Sequence, residues 1–406
     1  MQITRRTLGA TGAAALASPA TAAQNGFTPR LRVPRMSPVP SEARTDAQKA
    51  MLASRPDYNI YKTLAAHPEL YQRWSGLGGF ILNGSSLPPR HREMLILRMG
   101  WLCQAEYEWA QHARIATGQA VGMTAAEVHR IAEGPEAKGW TAFERAVLSA
   151  CDEIRYEEMI SDATWTALKT QYGDQTVMDA LFTAGQYQLV SMALNSLGVQ
   201  LDPDLTFRLP KDVPPPRVAG IPRARPLTTP RIAPKPVAAM TADDRKLLAE
   251  RYLANGTVMN LYATLITHPK LYGPRAQFGS YIQRDSGLPP RTRELCILRT
   301  AHNVACDYEW EHHVALARTA GLSDAEIARV RAGPDAPGWT AVDAATLRAA
   351  DELRREAFIS DRTWNVLTRH FTPQRLLEII FTIGGYAMTG AAIRSFGIQL
   401  EAEYRK

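Results

Sequence analysis

The chain has 406 residues, of which 45% are hydrophobic and 21% charged, with a formal net charge of +7. That length supports two or three domains with well-buried cores, and the composition is that of an ordinary soluble protein. The positive balance does not point to nucleic acid: Arg5 and Arg6 lie in an N-terminal leader, Arg217, Arg223, Arg225, Arg231 and Lys235 lie in one proline-rich stretch, and no basic helix or Arg-and-aromatic platform stands out.

In chain order, residues 1–23 come first. Arg5-Arg6 precede a short, mildly apolar Ala-rich run ending in small residues, with cleavage expected after Ala22 or Ala23. This is the layout of a twin-arginine export signal, an address to the periplasm or beyond. The run is too short and too weakly apolar to span a membrane stably, and no later stretch reads as a transmembrane helix.

Residues 45–202 form a first unit, and residues 241–402 repeat it almost phrase by phrase. "IYKTLAAHPELY" at 60–71 matches "LYATLITHPKLY" at 261–272, and "LPPRHREMLILR" at 87–98 matches "LPPRTRELCILR" at 288–299. "ISDATW" at 160–165 returns as "ISDRTW" at 359–364, and "LNSLGVQL" at 194–201 as "IRSFGIQL" at 393–400. Such self-similarity means one domain written twice. Apolar spacing in both units is helical and strand-like alternation is rare, so the expected fold is all-α, with six or seven helices per unit. Thr124…Glu127, Thr141…Glu144, Ser323…Glu326 and Thr340…Asp343 predict capped helix starts. Pro88-Pro89 and Pro289-Pro290 sit just ahead of a long helix, a tolerated entry position. Between the units, the proline-dense residues 203–240 predict an extended, semi-rigid linker.

The conspicuous polar residues of each unit cluster on that long helix and its continuation. "YEWAQH" at 107–112 and "YEWEHH" at 308–313 place Glu108 with His112, and Glu309 with His313, four residues apart on one helical face. Tyr107, Trp109, Tyr308 and Trp310 flank them; upstream stand Glu93 with Arg98, and Glu294 with Arg299. A carboxylate beside an imidazole, walled by rings, suits proton transfer near neutral pH. An upstream arginine suits gripping a carboxylate. The same residues are also compatible with plain ion pairs and core aromatics. Cys103, Cys151, Cys296 and Cys306 form no CxxC and no zinc spacing, and read mostly as buried thiols in apolar helices.

The pattern "LPPRxRE…ILR…YEWxxHxxxA" resembles the carboxymuconolactone decarboxylase family, which also holds the AhpD-like alkylhydroperoxidases. The resemblance covers both units and implies an all-α fold that assembles into a homo-oligomer, three tandem chains making a pseudo-hexamer. The peroxidase branch carries a glutamate, a CxxC pair, and a histidine four residues after the second cysteine. On this chain the glutamate matches Glu93 and Glu294, and the histidine His112 and His313. The first cysteine position holds Ala105 in one unit and Cys306 in the other, and the second holds Glu108 and Glu309. Without a paired thiol the dithiol cycle has no resolving partner. The resemblance therefore favours cofactor-free acid/base chemistry, lyase or isomerase, on a small carboxylated or lactone substrate. In that reading Arg98 or Arg299 holds a carboxylate against Trp109 or Trp310, and His112 or His313 transfers a proton. Glu108 or Glu309 is the base or sets the histidine's charge, Glu93 or Glu294 supports it, and Tyr107 or Tyr308 donates to a developing enolate. No metal, no nucleic acid and no stable membrane insertion are called for. Two alternatives stand beside it: a thiol antioxidant using Cys306 with Cys103 or Cys296, and a non-catalytic binding or scaffold protein.

Overall fold

A computed structural model describes residues 31–214, 227–248, 251 and 256–404. The twin-arginine leader of residues 1–23 lies outside the described residues, as do residues 215–226 of the expected linker. The described chain is all-α, with no β-strand.

The first unit contains nine helices: α1 (Asp46–Leu52), α2 (Asn59–Leu64), α3 (Pro68–Asn83), α4 (Pro89–Leu102), α5 (Glu106–Thr117), α6 (Ala125–Glu133), α7 (Ala142–Glu157), α8 (Asp162–Lys169) and α9 (Asp174–Leu197). The second repeats them as α10 (Ala242–Leu247), α11 (Asn260–Leu265), α12 (Pro269–Ser280, continued by a π-helical turn Tyr281–Asp285), α13 (Pro290–Asn303), α14 (Asp307–Thr319), α15 (Asp324–Ala332), α16 (Ala341–Glu356), α17 (Asp361–Leu367) and α18 (Pro373–Phe396). Nine replaces the expected six or seven because helices such as α1, α2 and α8 are too short to show an apolar period in sequence.

The start signals act as predicted. Thr124, Thr141 and Ser323 form reciprocal capping boxes with Glu127, Glu144 and Glu326. Thr340 accepts the Asp343 N–H without the return bond, because the shorter Asp343 side chain turns to Arg291 instead. Arg90 and Arg291, from the two "LPPR" turns, tie these starts together: Arg90 donates to Glu144 at 2.8 Å and Glu127 at 2.7 Å, and Arg291 to Glu326 at 2.6 Å and Asp343 at 3.0 Å. The caps of two helices are thereby pinned to the start of a third, the helix that carries the conserved polar pattern of each repeat.

The units are joined by contacts that come in exchanged pairs. Helix α9 packs along α18, and α3 along α12. Arg155 donates to the Arg354 carbonyl at 2.6 Å, and Arg354 to the Arg155 carbonyl at 3.0 Å. The Ile160 N–H reaches Ser395 Oγ at 3.0 Å, and the Ile359 N–H reaches Ser196 Oγ at 3.1 Å. His67 Nε2 lies 3.0 Å from Glu378, while His268 Nε2 lies 2.9 Å from Asp179. Reciprocal contacts of this kind define a pseudo-twofold arrangement about a core cluster that both units share, as an isologous interface does between subunits. Helices α9 and α18 read as apolar on every side because both are buried almost throughout, one face toward their own unit and one toward the other. Helix α18 is long and apolar enough by composition to cross a membrane, contrary to the reading of the sequence, but its whole apolar stretch is buried inside the protein.

The proline-rich stretch is more than a spacer where it is described. Leu205, Leu209 and Ile232 are buried, and Arg231 donates to the Ile160 and Ser395 carbonyls at 2.7 and 3.0 Å. Arg35 does the same at the start of the first unit, donating to the Ile359 and Ser196 carbonyls at 2.7 and 3.2 Å. "VPRM" at 33–36 and "TPRI" at 229–232 are thus equivalent arms, each laid across the seam between the units.

Candidate active sites

Each unit encloses a cavity at the N-terminal half of its signature helix. In the first, of about 290 Å³, the walls are Tyr58, Tyr61, Tyr71, Trp74, Tyr107 and Tyr187, with Glu108 and His112 also lining it. The loop after α4 takes a left-handed residue at Gln104 (φ 51°), which lets α5 start at once and run Glu108 and His112 past the end of α4. His112 Nδ1 lies 2.7 Å from Glu93 Oε2, and Nε2 lies 3.0 Å from Glu108 Oε1. Glu93 is fully buried and also accepts from Arg92 Nε at 3.1 Å. Burial by itself lowers the His112 pKa, but Glu93 and Glu108 outweigh it and raise it to about 10. Burial likewise pushes the Glu93 carboxyl up, and His112 and Arg92 overcome that and hold it below the usual carboxylate range. At neutral pH His112 is therefore an imidazolium held between Glu93 and Glu108, and both His112 and Glu108 line the cavity.

The second unit keeps the residues but not the geometry. His313 Nδ1 lies 2.8 Å from Glu294 Oε2, matching the first site. Among the described residues Glu309 forms no ion pair with His313; its buried carboxyl lies beside the Cys306 thiol instead. Burial drives its pKa well up, with Arg275 opposing. The reason lies on α18. A Cβ on Gly390 would stand 2.9 Å from Glu309 Oε2, so the carboxyl occupies room that only glycine leaves. The first unit has Ser191 at that position, and Glu108 turns to His112 instead. The second cavity, about 300 Å³, is lined by Tyr262, Arg275, Tyr308, His312, Tyr386 and Thr389 around Glu309 and His313.

Several residues expected in the sites lie elsewhere. Arg98 and Arg299 do not grip substrate. Arg98 forms a fork on Asp152 at 2.6 and 2.8 Å and donates to the Ile131 and Ala132 carbonyls, and Arg299 does the same with Asp351, Val330 and Arg331. These guanidiniums hold the end of one helix against its neighbours. Trp109 is core, edge-on to Trp101, and Trp310 sits under Arg331. Neither lines a cavity. Tyr107 and Tyr308 do line the cavities, but their hydroxyls are committed, Tyr107 to Asp202 at 2.5 Å and Tyr308 to Glu401 at 2.7 Å. They tie each signature helix to the end of its unit rather than donating to an enolate.

The structure adds residues that sequence reasoning missed. Tyr187 and Tyr386 stand edge-on to His112 and His313, with ring centroids 4.9 and 5.1 Å away. The signal was available: a tyrosine at one register in two otherwise apolar helices, "GQYQ" and "GGYA". Arg55 lies over Tyr61 and Tyr71 in the first cavity, and Arg251 over Tyr262 in the second, supplying the cation once assigned to Arg98 and Arg299. No local pattern marks them. Trp74, on the first cavity's wall, keeps an indole N–H without a partner, and Gln186 a carbonyl oxygen.

All four cysteines are buried, and none forms a disulfide among the described residues. Burial raises the thiol pKa of Cys151, Cys296 and Cys306. Cys306 sits at the N-cap of α14, yet burial, and after it the adjacent Glu309, push its thiol pKa well up. Among the described residues no group of three or more His, Cys, Asp or Glu is placed to hold a metal ion.

Fold and site together define an all-α tandem protein with one acid/base cluster per repeat. Residues 68–153 and 269–352 each match the carboxymuconolactone decarboxylase family, and the chain carries two domains of that family in tandem. Among solved structures it is similar to an uncharacterized peroxidase-related protein with an alkylhydroperoxidase AhpD core from Ralstonia eutropha JMP134, at 20% identity over 43% of this chain and 94% of that one, with a TM-score of 0.38. It is also similar to a protein of unknown function from Agrobacterium tumefaciens, described in terms of AhpD-type antioxidant defence, at 23% identity over 34% of this chain and 95% of that one, with a TM-score of 0.32. No curated protein matches the chain.

Proposed function

We propose that the first pocket catalyses cofactor-free acid/base chemistry, a lyase or isomerase reaction, on a small lactone or carbonyl acid. The observation that carries this reading is His112 held between Glu93 and Glu108 at the wall of an aromatic cavity. An imidazolium that keeps its proton to about pH 10 is not the base at neutral pH. Glu108 is the base: it takes a proton from a carbon next to the substrate carbonyl and returns it elsewhere on the substrate or to a leaving group. His112 positions Glu108 through Nε2, and its positive charge offsets the negative charge that moves from Glu108 to the substrate. Glu93 keeps His112 protonated from the far side. Arg55 at the rim meets a substrate carboxylate, and the aromatic walls exclude water. The buried, high-pKa thiols give no support to peroxide chemistry. The same reading has the chain exported by its leader and self-associating as related domains do.

The test is a mass-spectrometric screen in D₂O of mature protein against small lactones, keto acids and aromatic-derived acids, beside Glu108→Gln and His112→Ala. Deuterium uptake, or loss of CO₂ or water, is expected with wild type and absent from both variants. The same conversion in Glu108→Gln would remove Glu108 as the base, and no conversion of any compound would overturn the enzymatic reading.

A further inference from the structure

The two cavities are walled by the same elements, yet their charges differ. The change centres on one pair of positions: Trp74 on α3 corresponds to Arg275 on α12. Arg275 is 7% exposed and lines the second cavity. Its one hydrogen bond among the described residues runs from Nη2 to Thr389 Oγ1 at 2.8 Å, and it meets no carboxylate in an ion pair. A buried guanidinium left without an anion is costly unless something supplies one. The surroundings are built to hold it there. Thr389 replaces Val190 of the first unit, providing the acceptor. Gly279 leaves the space, since a Cβ there would come within 3.1 Å of Arg275 Nη1.

The acids nearby do not neutralise it. Glu309 makes no ion pair with Arg275 among the described residues, and burial drives its carboxyl pKa well up. Glu294 is taken by His313, and Glu401 by the Tyr308 hydroxyl and the Asn260 N–H at 2.7 and 2.6 Å. Around the guanidinium the walls are Tyr262, Tyr386 and Ile282, apolar and partly flat. In the first cavity an indole stands in place of Arg275, and Glu108 lines the wall together with Arg55.

We infer that the second pocket is a binding site for a small carboxylate with a flat apolar body, held by Arg275 through a charge-assisted fork, and is not a working copy of the first. The inference is independent of the acid/base reading of the first pocket, because it concerns binding alone. The carboxylate pairs with the guanidinium N–H groups that Thr389 leaves free, and Thr389, accepting one Nη2 hydrogen, holds the guanidinium plane in place. The ring or unsaturated body lies against Tyr386 and Tyr262.

Calorimetric titration of the full chain with benzoate and with benzamide, two probes of the same shape and different charge, tests this. Wild type is expected to bind benzoate roughly tenfold or more tighter than benzamide. Arg275→Met is expected to bring benzoate down to the benzamide level, and Arg275→Lys to retain part of the preference. Equal binding of the two probes by wild type, which needs no variant, would overturn the inference. So would a benzoate preference that survives in Arg275→Met. Turnover by the first pocket is read separately in the D₂O screen, so either conclusion can fall while the other stands.

Discussion

His112 and His313 show how the same side chain acquires different chemistry from one neighbour. Both are buried and both meet a buried glutamate through Nδ1. Only His112 gains a second carboxylate, Glu108, and its pKa rises from 6.5 to about 10. A histidine raised on folding contributes stability that is fully present below its unfolded pKa and disappears as pH climbs through the folded one. The His112 contribution is therefore complete below about 6.5 and lost as pH passes about 10. Urea unfolding midpoints across that window should fall with pH for wild type and change less for His112→Gln. Turnover by Glu108 should decline over the same upper limb, since losing the imidazolium removes the charged hydrogen bond that holds the base in place.

At the scale of elements, the crossing of α9 and α18 decides how closely the units approach. Gly185 and Gly384 sit at the closest point, where an added Cβ would lie 2.6 Å from Met388 Cγ and 2.7 Å from Leu189 Cγ respectively. Glycine costs helix stability in isolation, and here the close packing it permits offsets that cost. Gly384→Ala should destabilise by about 1–3 kcal/mol through overpacking, because the Leu189 backbone Cα itself would be only 3.2 Å away and has no room to yield. Gly79→Ala, also mid-helix but with nothing within 4 Å, should be neutral or raise stability by roughly 0.5–1 kcal/mol. Chemical denaturation of the two variants separates the close approach from simple helix propensity. The same logic on α18 governs the sites: Gly390 opens the room into which Glu309 turns.

Across the whole molecule, the exchanged contacts make the two repeats one folding body. The clasp at Glu378 joins them: its carboxylate accepts from Tyr281 at 2.7 Å, the Gly287 N–H at 3.0 Å and Arg375 at 2.7–2.8 Å, and lies 3.0 Å from His67 of the other unit. Burial pushes this carboxyl up, but His67, Arg375, Tyr281 and the backbone donor together bring it down to about 2. A depressed carboxyl contributes stability present above its unfolded pKa, about 4.5, and lost as pH falls through about 2. Acid titration of the urea midpoint should show a fall between those values that is shallower in Glu378→Gln. Loss of this clasp should loosen both units together, since it ties α18 of one to the turn before α3 of the other.

The repeat, the helical class and the starts of the principal helices were legible in the sequence, because each depends on local order: apolar period, capping side chains and prolines at first turns. The cluster of Glu93, Glu108 and His112 was legible too, since two of its members share a helical face and the third recurs at a fixed distance upstream. The roles of Arg98, Trp109 and Tyr107 were not. A side chain's spacing along a helix says which way it points, not what already waits there, and Asp152, Trp101 and Asp202 were waiting. Nor could two equal motifs reveal two unequal sites. That difference rests on Ser191 against Gly390 and Trp74 against Arg275, residues on other helices far from the motif in sequence. By itself the sequence determined that one helical unit is made twice and which polar residues it carries. Only the tertiary structure decided which of them meet and which are charged, because burial and opposing charge arise from contacts between distant segments.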